Sequence, residues 1–442
     1  MIDIKKNQKT SKLAVGDFVY KNKPLLHIIR SENSFLFTQE GHCLLDMESG
    51  NGAVALGYDY SILNNSILKL ENLPNLPSFC ESDLRINYSK KLASFIEAST
   101  KTPGKIAFEL GGAQGIELAL KIAKMNTKKS KVVVFEGAYH GRSHYTSYLS
   151  SSSRYRENNE YADSVIRLPY PDTISDNSFF TSESYIEYID RMFSNEYSGI
   201  MSNNEESDIC AFLFEPILNV GGLIKPELKV IHYLVKKAKS IGALVIIDEI
   251  FTGFYRTGKR FGFEHFNIKP DLFVSSKILT NGITPLSCVW GKEELLSKEN
   301  FPNGTHSVTY LNNILSLAIA NEVLDRFLNY TDLENHIYTL EKKLICILSV
   351  LEKKFKNIVI SYRVFGACAA IKVNPVFSKE IIKKLKVIAE DGPIEGVSGC
   401  ILAMSSMAEN TIIIKPAFNI SMKMLDVFEG LITKTINEIK RI

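Results

Sequence analysis

The chain has 442 residues, with 52 Lys plus Arg against 49 Asp plus Glu, a formal net charge of +3. That balance provides no basic field of the kind that binds nucleic acid or an anionic membrane, and 45% apolar with 23% charged residues is an ordinary globular make-up. The length exceeds one small core and allows two or three domains.

The seven cysteines, at 43, 80, 210, 288, 346, 368 and 400, form no CxxC pair and lie mostly among apolar neighbours. They read as reduced, buried thiols rather than a disulfide framework or a metal site. The opening MIDIKKNQKTSKLAVGD has no hydrophobic segment of signal-peptide type, and no apolar run approaches membrane-spanning length. The expectation is a cytoplasmic protein. Lysine pairs at 128–129, 236–237, 342–343 and 353–354 read as solvated helix faces.

In chain order, residues 1–75 carry strand-like runs at Ser34–Thr38 and Cys43–Met47. The segment ESGNGAVALGYD follows at 48–59, where glycines could let backbone approach a ligand. Helix and strand patterns then alternate. Helices are expected at Ser89–Glu97, Gly115–Met125 and Lys229–Ser240. Strands are expected at Lys105–Leu110, Lys131–Glu136, Asp208–Phe214, Leu244–Ile247 and Leu272–Ser275. Short apolar strands between amphipathic helices predict an α/β fold with a mostly parallel sheet covered on both faces. The polar stretch Ser150–Asn177 reads as an ordered insertion.

Past the middle of the chain the texture becomes α+β: a helix at Leu333–Phe355, strands at Ile358–Tyr362, Ala369–Val373 and Thr411–Ile414, and a final helix at Met422–Ile439. The N-terminal strands are expected to join this module. The division is then a large domain at 76–325 and one small domain built from 1–75 and 326–442.

Several strand ends carry chemistry. Phe108–Lys124 reads as strand, Gly-Gly turn and helix, where free N–H groups and the helix dipole could hold a phosphate. Such turns also abound without one, and this one lacks the Walker lysine and full GxGxxG spacing. In FEGAYHGRSH, Tyr139 could stack on a flat cofactor or simply pack; His140 reads as structural rather than as a general base. Glu215 ends the next strand, where ligands bind in open α/β sheets, though a core hydrogen-bonding role is an equal reading. Asp248 ends LVII, and Lys277 follows FVSS. A carboxylate and a lysine at adjacent strand ends are the two fixed charges that pyridoxal phosphate needs, one for its pyridinium nitrogen and one for a Schiff base with its aldehyde. Thr309 precedes an amphipathic helix and taken alone reads as an N-cap.

In order and spacing, the Gly-Gly turn, Tyr139-His140-Gly141-Arg142, EPI and GG, DEI.TGF.RTG, KPD with SK, and the downstream threonine resemble the class III aminotransferases, enzymes of fold type I. SKILTNGITPLS, 276–287, is similar to the ω-amine branch. The resemblance covers essentially the whole chain. It implies Lys277 as Schiff-base lysine and proton carrier, Asp248 as partner of the pyridinium nitrogen, and Tyr139 and Ile250 on the two ring faces. It also implies Gly112 and Ala113 at the phosphate, with Gln114 assisting, and Glu215 in the surrounding hydrogen-bond network. Thr309 is implied to reach the phosphate of the neighbouring subunit in a homodimer with shared sites.

Three departures qualify the resemblance. The phosphate turn, usually Ser-Gly-Ser or Ser-Gly-Thr, is Gly111-Gly112-Ala113, which implies weaker cofactor retention. The arginine with which many relatives grip an α-carboxylate is replaced by Ile413, and its glutamate partner by Val220. Lys415, Arg142, Arg154 and Arg156 are the candidate substitutes. Phe251 and Tyr255 add aromatic bulk, which suits either an apolar substrate or core packing. The expected activity is amino transfer between an amine or amino acid and a carbonyl acceptor, in specialised biosynthesis. The rivals are an amino acid racemase, epimerase or aminomutase on the same fold, and a silent partner protein.

Overall fold

The computed structural model describes residues 26–70, 76–77, 79–156, 161–172, 179–194, 200–201, 207–385 and 393–440. Parts of the anticipated insertion, 157–160 and 173–177, fall outside these residues, as does the N-terminal segment 1–25. The strands are β1 Ile28–Glu32, β2 Phe35–Thr38, β3 Cys43–Asp46, β4 Gly104–Glu109, β5 Lys131–Phe135, β6 Val165–Leu168, β7 Ile209–Phe214 and β8 Leu244–Asp248. They continue with β9 Leu272–Ser275, β10 Ser287–Lys292, β11 Val359–Phe365, β12 Cys368–Val373, β13 Gly399–Ile401, β14 Ala403–Met404 and β15 Thr411–Ile414. The helices used below are α1 Asp83–Thr100, α2 Gly112–Thr127, α3 Leu228–Ser240, α4 Ile314–Asn329, α5 Leu333–Lys354 and α6 Met422–Ile439.

The central sheet has the order β4-β10-β9-β8-β7-β5-β6. Its β9-β8-β7-β5-β6 portion is parallel throughout. All six residues of β7, ICAFLF, are buried, as are the last four of β8. A strand covered on both faces needs such a continuous apolar run rather than an alternating one. Helix α2 lies so close to the sheet that a Cβ on Gly115 would stand 2.7 Å from Val274 Cγ1 and 2.8 Å from Ser287 Oγ.

β10 is the exception to the parallel pattern. It runs antiparallel to both β9 and β4. Two reversals cancel, so β4 points the same way as β9. The turn after β4 therefore emerges at the edge where β7, β8 and β9 also end.

Two four-stranded sheets accompany the central one, β1-β2-β3-β13 and β11-β12-β15-β14. β13 pairs in parallel with β3, which places the two ends of the chain in one sheet. Arg256, fully buried, ties the loop after β8 to both chain ends. Its guanidinium donates to Gly52 O (3.1 Å), Ala367 O (3.0 Å) and Pro416 O (2.7 Å). Of the cysteines, 210, 288, 368 and 400 are buried, 43 and 80 are half-buried, and Cys346 is exposed.

Candidate active site at the carboxyl edge of the central sheet

Five chain segments deliver side chains to this edge. Asp248 is the last residue of β8, Glu215 directly follows β7, Lys277 comes two residues after β9, Gly111 two after β4, and Tyr139-His140 shortly after β5. Ligands bind at this edge of open α/β sheets because the strands end there and the loops diverge.

Asp248 is buried and fully engaged. Its Oδ2 lies 2.8 Å from His140 Nδ1, and its Oδ1 accepts the Ile250 N–H at 3.0 Å. A carboxylate can only accept here, so His140 carries a proton on Nδ1. Nε2 is buried and has no hydrogen-bond partner among the described residues. His140 is itself fixed by its backbone N–H, which donates to Ser150 Oγ at 2.9 Å. The imidazole therefore aims the carboxylate. The structural reading of His140 stands, with a specific task attached.

Glu215 accepts from Tyr139 N (2.8 Å) and Asn219 N (3.1 Å). Burial, reinforced by the nearby Asp248 charge, pushes its carboxyl up to about 8 despite those two donors. Both carboxyl groups act on the charge of Lys277. Lys277 sits in the left-handed region at φ 43°, unusual for a side chain of its size. Burial chiefly, then the positive charge of Lys415, lower its ammonium to about 8, against the pull of Asp248, Glu215 and Glu48. A lysine so placed is neutral at mildly alkaline pH and able to act as a nucleophile.

These groups fit pyridoxal phosphate. Helix α2 opens at Gly112 after Gly111, which offers no side-chain cap, so the first N–H groups of α2 remain for an anion. A Cβ on Gly112 would meet Ile250 Cδ1 at 2.8 Å, so the glycine lets Ile250 close over the turn. Tyr139 and Ile250 are both half-buried; Tyr139 precedes the histidine that meets Asp248, and the Ile250 N–H donates to Asp248 Oδ1. Tyr139 is steadied edge-on by Tyr155, with ring centroids 5.8 Å apart. Gln114 is exposed at the same turn. Thr309 is exposed and does not cap α4; Asn313 does, accepting from Ser316 N at 3.1 Å.

The departures also acquire positions. Ile413 is buried in one apolar cluster with Ile217, Leu223, Phe251, Cys368 and Ala370. Val220 is half-buried, and its carbonyl accepts from the Ser405 hydroxyl. Phe251 is 4% exposed, and its ring centroid lies 5.3 Å from Lys277 Nζ. Core packing and a place beside the reactive lysine are thus the same fact for Phe251. Tyr255 turns away, packing on Phe95 and Phe327.

Of the four candidate cations, Arg156 donates to the backbone carbonyls of Ser147 and Ser150, and Arg154 to Ser406 O at 2.6 Å. Arg142 is exposed and lies over the rings of Tyr139 and Tyr155. Lys415 is buried, and its Nζ is 2.8 Å from Glu48 Oε1.

Sequence reasoning missed Glu48 and Glu249. Glu249 is buried and holds the loop after β8 by accepting from the Thr252 hydroxyl (2.6 Å) and the N–H groups of Gly262 and Phe263 (both 2.8 Å). Its position beside Asp248 in the chain was the available signal. Glu48 gave none, because its partner is 367 residues away.

The family model described as aminotransferase class-III matches residues 19–436. The acetylornithine/succinyldiaminopimelate aminotransferase of Buchnera aphidicola subsp. Acyrthosiphon pisum (strain APS) is 29% identical over 420 residues, 93% of this chain and 92% of that protein. The 2-aminoadipate transaminase of Pseudomonas putida is 34% identical over 233 residues, 52% of each chain. Among solved structures, an S-selective transaminase from Arthrobacter sp. with alanine bound superposes with a TM-score of 0.84 at 20% identity, covering 100% of this chain and 99% of that one. The ornithine aminotransferase of Toxoplasma gondii gives 0.78 at 19%, with the same coverage. At these identities the two structures speak for the fold.

Proposed function

The chain belongs to the class III aminotransferases, uses pyridoxal phosphate and moves an amino group between a donor and a carbonyl acceptor; from that premise we propose that its amine substrate carries an apolar chain rather than an α-carboxylate beside the reacting carbon. The observation that carries this reading is the apolar Phe251–Ile413 cluster, whose Phe251 ring lies 5.3 Å from Lys277 Nζ, while the nearby Lys415 ammonium is already paired with Glu48. An α-carboxylate driven against that wall would lose its water without gaining a partner. A specialised biosynthetic role suits such a pocket.

Bound pyridoxal phosphate supplies an aldehyde that takes up the amino group and a ring that draws electrons from the donor carbon. The protein supplies the rest. Asp248, aimed by the Nδ1–H of His140, presents a fixed negative charge to the ring nitrogen. Glu215, its carboxyl pushed up by burial, anchors the Tyr139 loop by accepting the Tyr139 N–H. Lys277, neutral once pH exceeds about 8, would take up and release a proton at Nζ. Backbone at Gly112 and Ala113, with Gln114, takes the phosphate; Tyr139 and Ile250 enclose the ring.

The same reading includes a homodimer in which exposed Thr309 faces the neighbouring subunit's cofactor phosphate, and a cytoplasmic location. Among the described residues no helix is long and apolar enough to cross a membrane. It also includes the division into a large domain at 76–325 and a small one from 1–75 and 326–442. The pairing of β13 with β3 supports that division.

The test compares pentylamine with L-norleucine, which differ by one α-carboxylate. Single-turnover rates on the loaded enzyme should favour pentylamine by roughly tenfold or more, a difference of about 1.4 kcal/mol. A faster reaction with norleucine would sink the proposal.

A further inference from the structure

Glu109 is a buried acid beside a turn suited to an anion. It ends β4, two residues before Gly111 and the free N–H groups that open α2. A carboxylate so near a phosphate repels it unless another group holds the acid aside. Both of its oxygens are engaged. Oε2 accepts the Leu110 N–H at 3.2 Å, and Oε1 meets His306 Nε2. That nitrogen is buried and has no other polar partner among the described residues.

His306 stands at one foot of an arch. Lys121, on α2, secures the same foot by donating to Thr305 O at 2.5 Å. The other foot is buried Asn312, whose side-chain amide donates to Pro77 O at 2.8 Å and Cys80 O at 3.1 Å. Arg85 of α1 donates to the Asn312 side-chain oxygen. Between the feet, Ser307, Thr309 and Tyr310 are exposed, and the Leu311 N–H closes a turn on Val308 O at 3.1 Å. Thr309 is three residues from His306, at most about 11 Å of chain. The first foot rests on the two elements that frame the phosphate turn, since Glu109 precedes the turn and Lys121 lies on the helix that follows it.

We propose that Glu109 and His306 are positioning residues that set Thr309 against the cofactor phosphate of the neighbouring subunit, so that β4 and α2 of one chain help to hold two cofactors, their own and the partner's. Both act through the arch rather than by touching the second cofactor. A hydroxyl-to-phosphate hydrogen bond is charge-assisted and weakens steeply when misaligned, so loosening the foot loosens the grip. This inference rests on the homodimer with shared sites, and it adds a direction: the pair matters most to the cofactor of the other chain.

Mixed dimers test it. Two differently tagged chains are co-expressed, loaded with pyridoxal phosphate and isolated as the doubly tagged species. One chain carries Lys277→Ala, so the covalent absorbance band reports the other chain alone. The double variant Glu109→Gln/His306→Leu removes the contact without stranding a buried charge. Placed in the Lys277→Ala chain, it should speed loss of the band on dialysis roughly 10-fold, the size of one hydrogen bond to a charged group. Placed in the band-bearing chain, it should change the loss far less. Lys121→Met, at the exposed end of the same foot, should act in the same direction more weakly, and it serves where the double variant does not fold. Equal or greater loss when the substitutions share a chain with the band, or no change in either arrangement, overturns the proposal. Thr309→Ala in the Lys277→Ala chain separates the two readings. If it speeds band loss and the foot variants do not, the shared site stands and this proposal falls. If it has no effect, or no doubly tagged species forms, the shared-site reading falls and takes the proposal with it.

Discussion

His140 Nδ1 stands 2.8 Å from Asp248 Oδ2, with both side chains almost wholly buried. The carboxylate proposed to face the ring nitrogen is therefore positioned from β5's loop as well as from its own strand. Replacing His140 with Phe removes that donor while filling the space. Activity should fall about 10- to 100-fold, the equivalent of about 1.5–3 kcal/mol for a hydrogen bond to a charged group. Steady-state kinetics should show the loss in kcat more than in KM. An unchanged kcat would mean that Asp248 needs no such support.

Lys277 should react with added pyridoxal phosphate in its neutral form. Its ammonium is held down to about 8 from an ordinary lysine value of 10.5, so the reactive fraction rises as pH increases through about 8. The rate of cofactor capture by the apo-protein, followed by absorbance, should rise with a midpoint near 8. A midpoint near 10.5 would show that the site leaves this lysine unperturbed. Lys277→Ala should abolish the covalent absorbance band and cut activity at least about 10³-fold.

The turn proposed to hold the phosphate lacks hydroxyls at Gly111 and Ala113. Ala113→Ser should add one charge-assisted hydrogen bond and slow cofactor loss on dialysis roughly tenfold. Equal retention by wild type and variant would place the phosphate elsewhere.

Ile413→Arg should destabilise the protein, because it buries a cation among Ile217, Phe251 and Cys368 with no acid at Val220. The expected loss is about 3–5 kcal/mol in urea unfolding. Val220→Glu in the same chain should recover part of it.

The residues proposed to carry the chemistry were readable because each follows an apolar run. Asp248, Glu215 and Lys277 sit where hydrophobic patterning stops, and patterning is what sequence displays best. The direction of β10 was not readable, since SCVWGK looks the same run either way and direction is set by the path of the chain. His140's partner was hidden because the two lie 108 residues apart. The Glu48–Lys415 pair was hidden for the same reason, and Lys415 could be named only as one of four cations. The left-handed turn at 49–52 left a trace in its two glycines, but Ser49 and Asn51 share that conformation and gave no sign of it.

The most direct test of the account is the stoichiometry of a single half-reaction. Loaded enzyme is mixed with a donor amine and no acceptor, and the products are counted per active site. Amino transfer should give one equivalent of carbonyl compound from the donor and one of aminated cofactor. Donor recovered with its stereocentre scrambled, or its amino group moved along the chain, and no carbonyl released would contradict it and point to an isomerase.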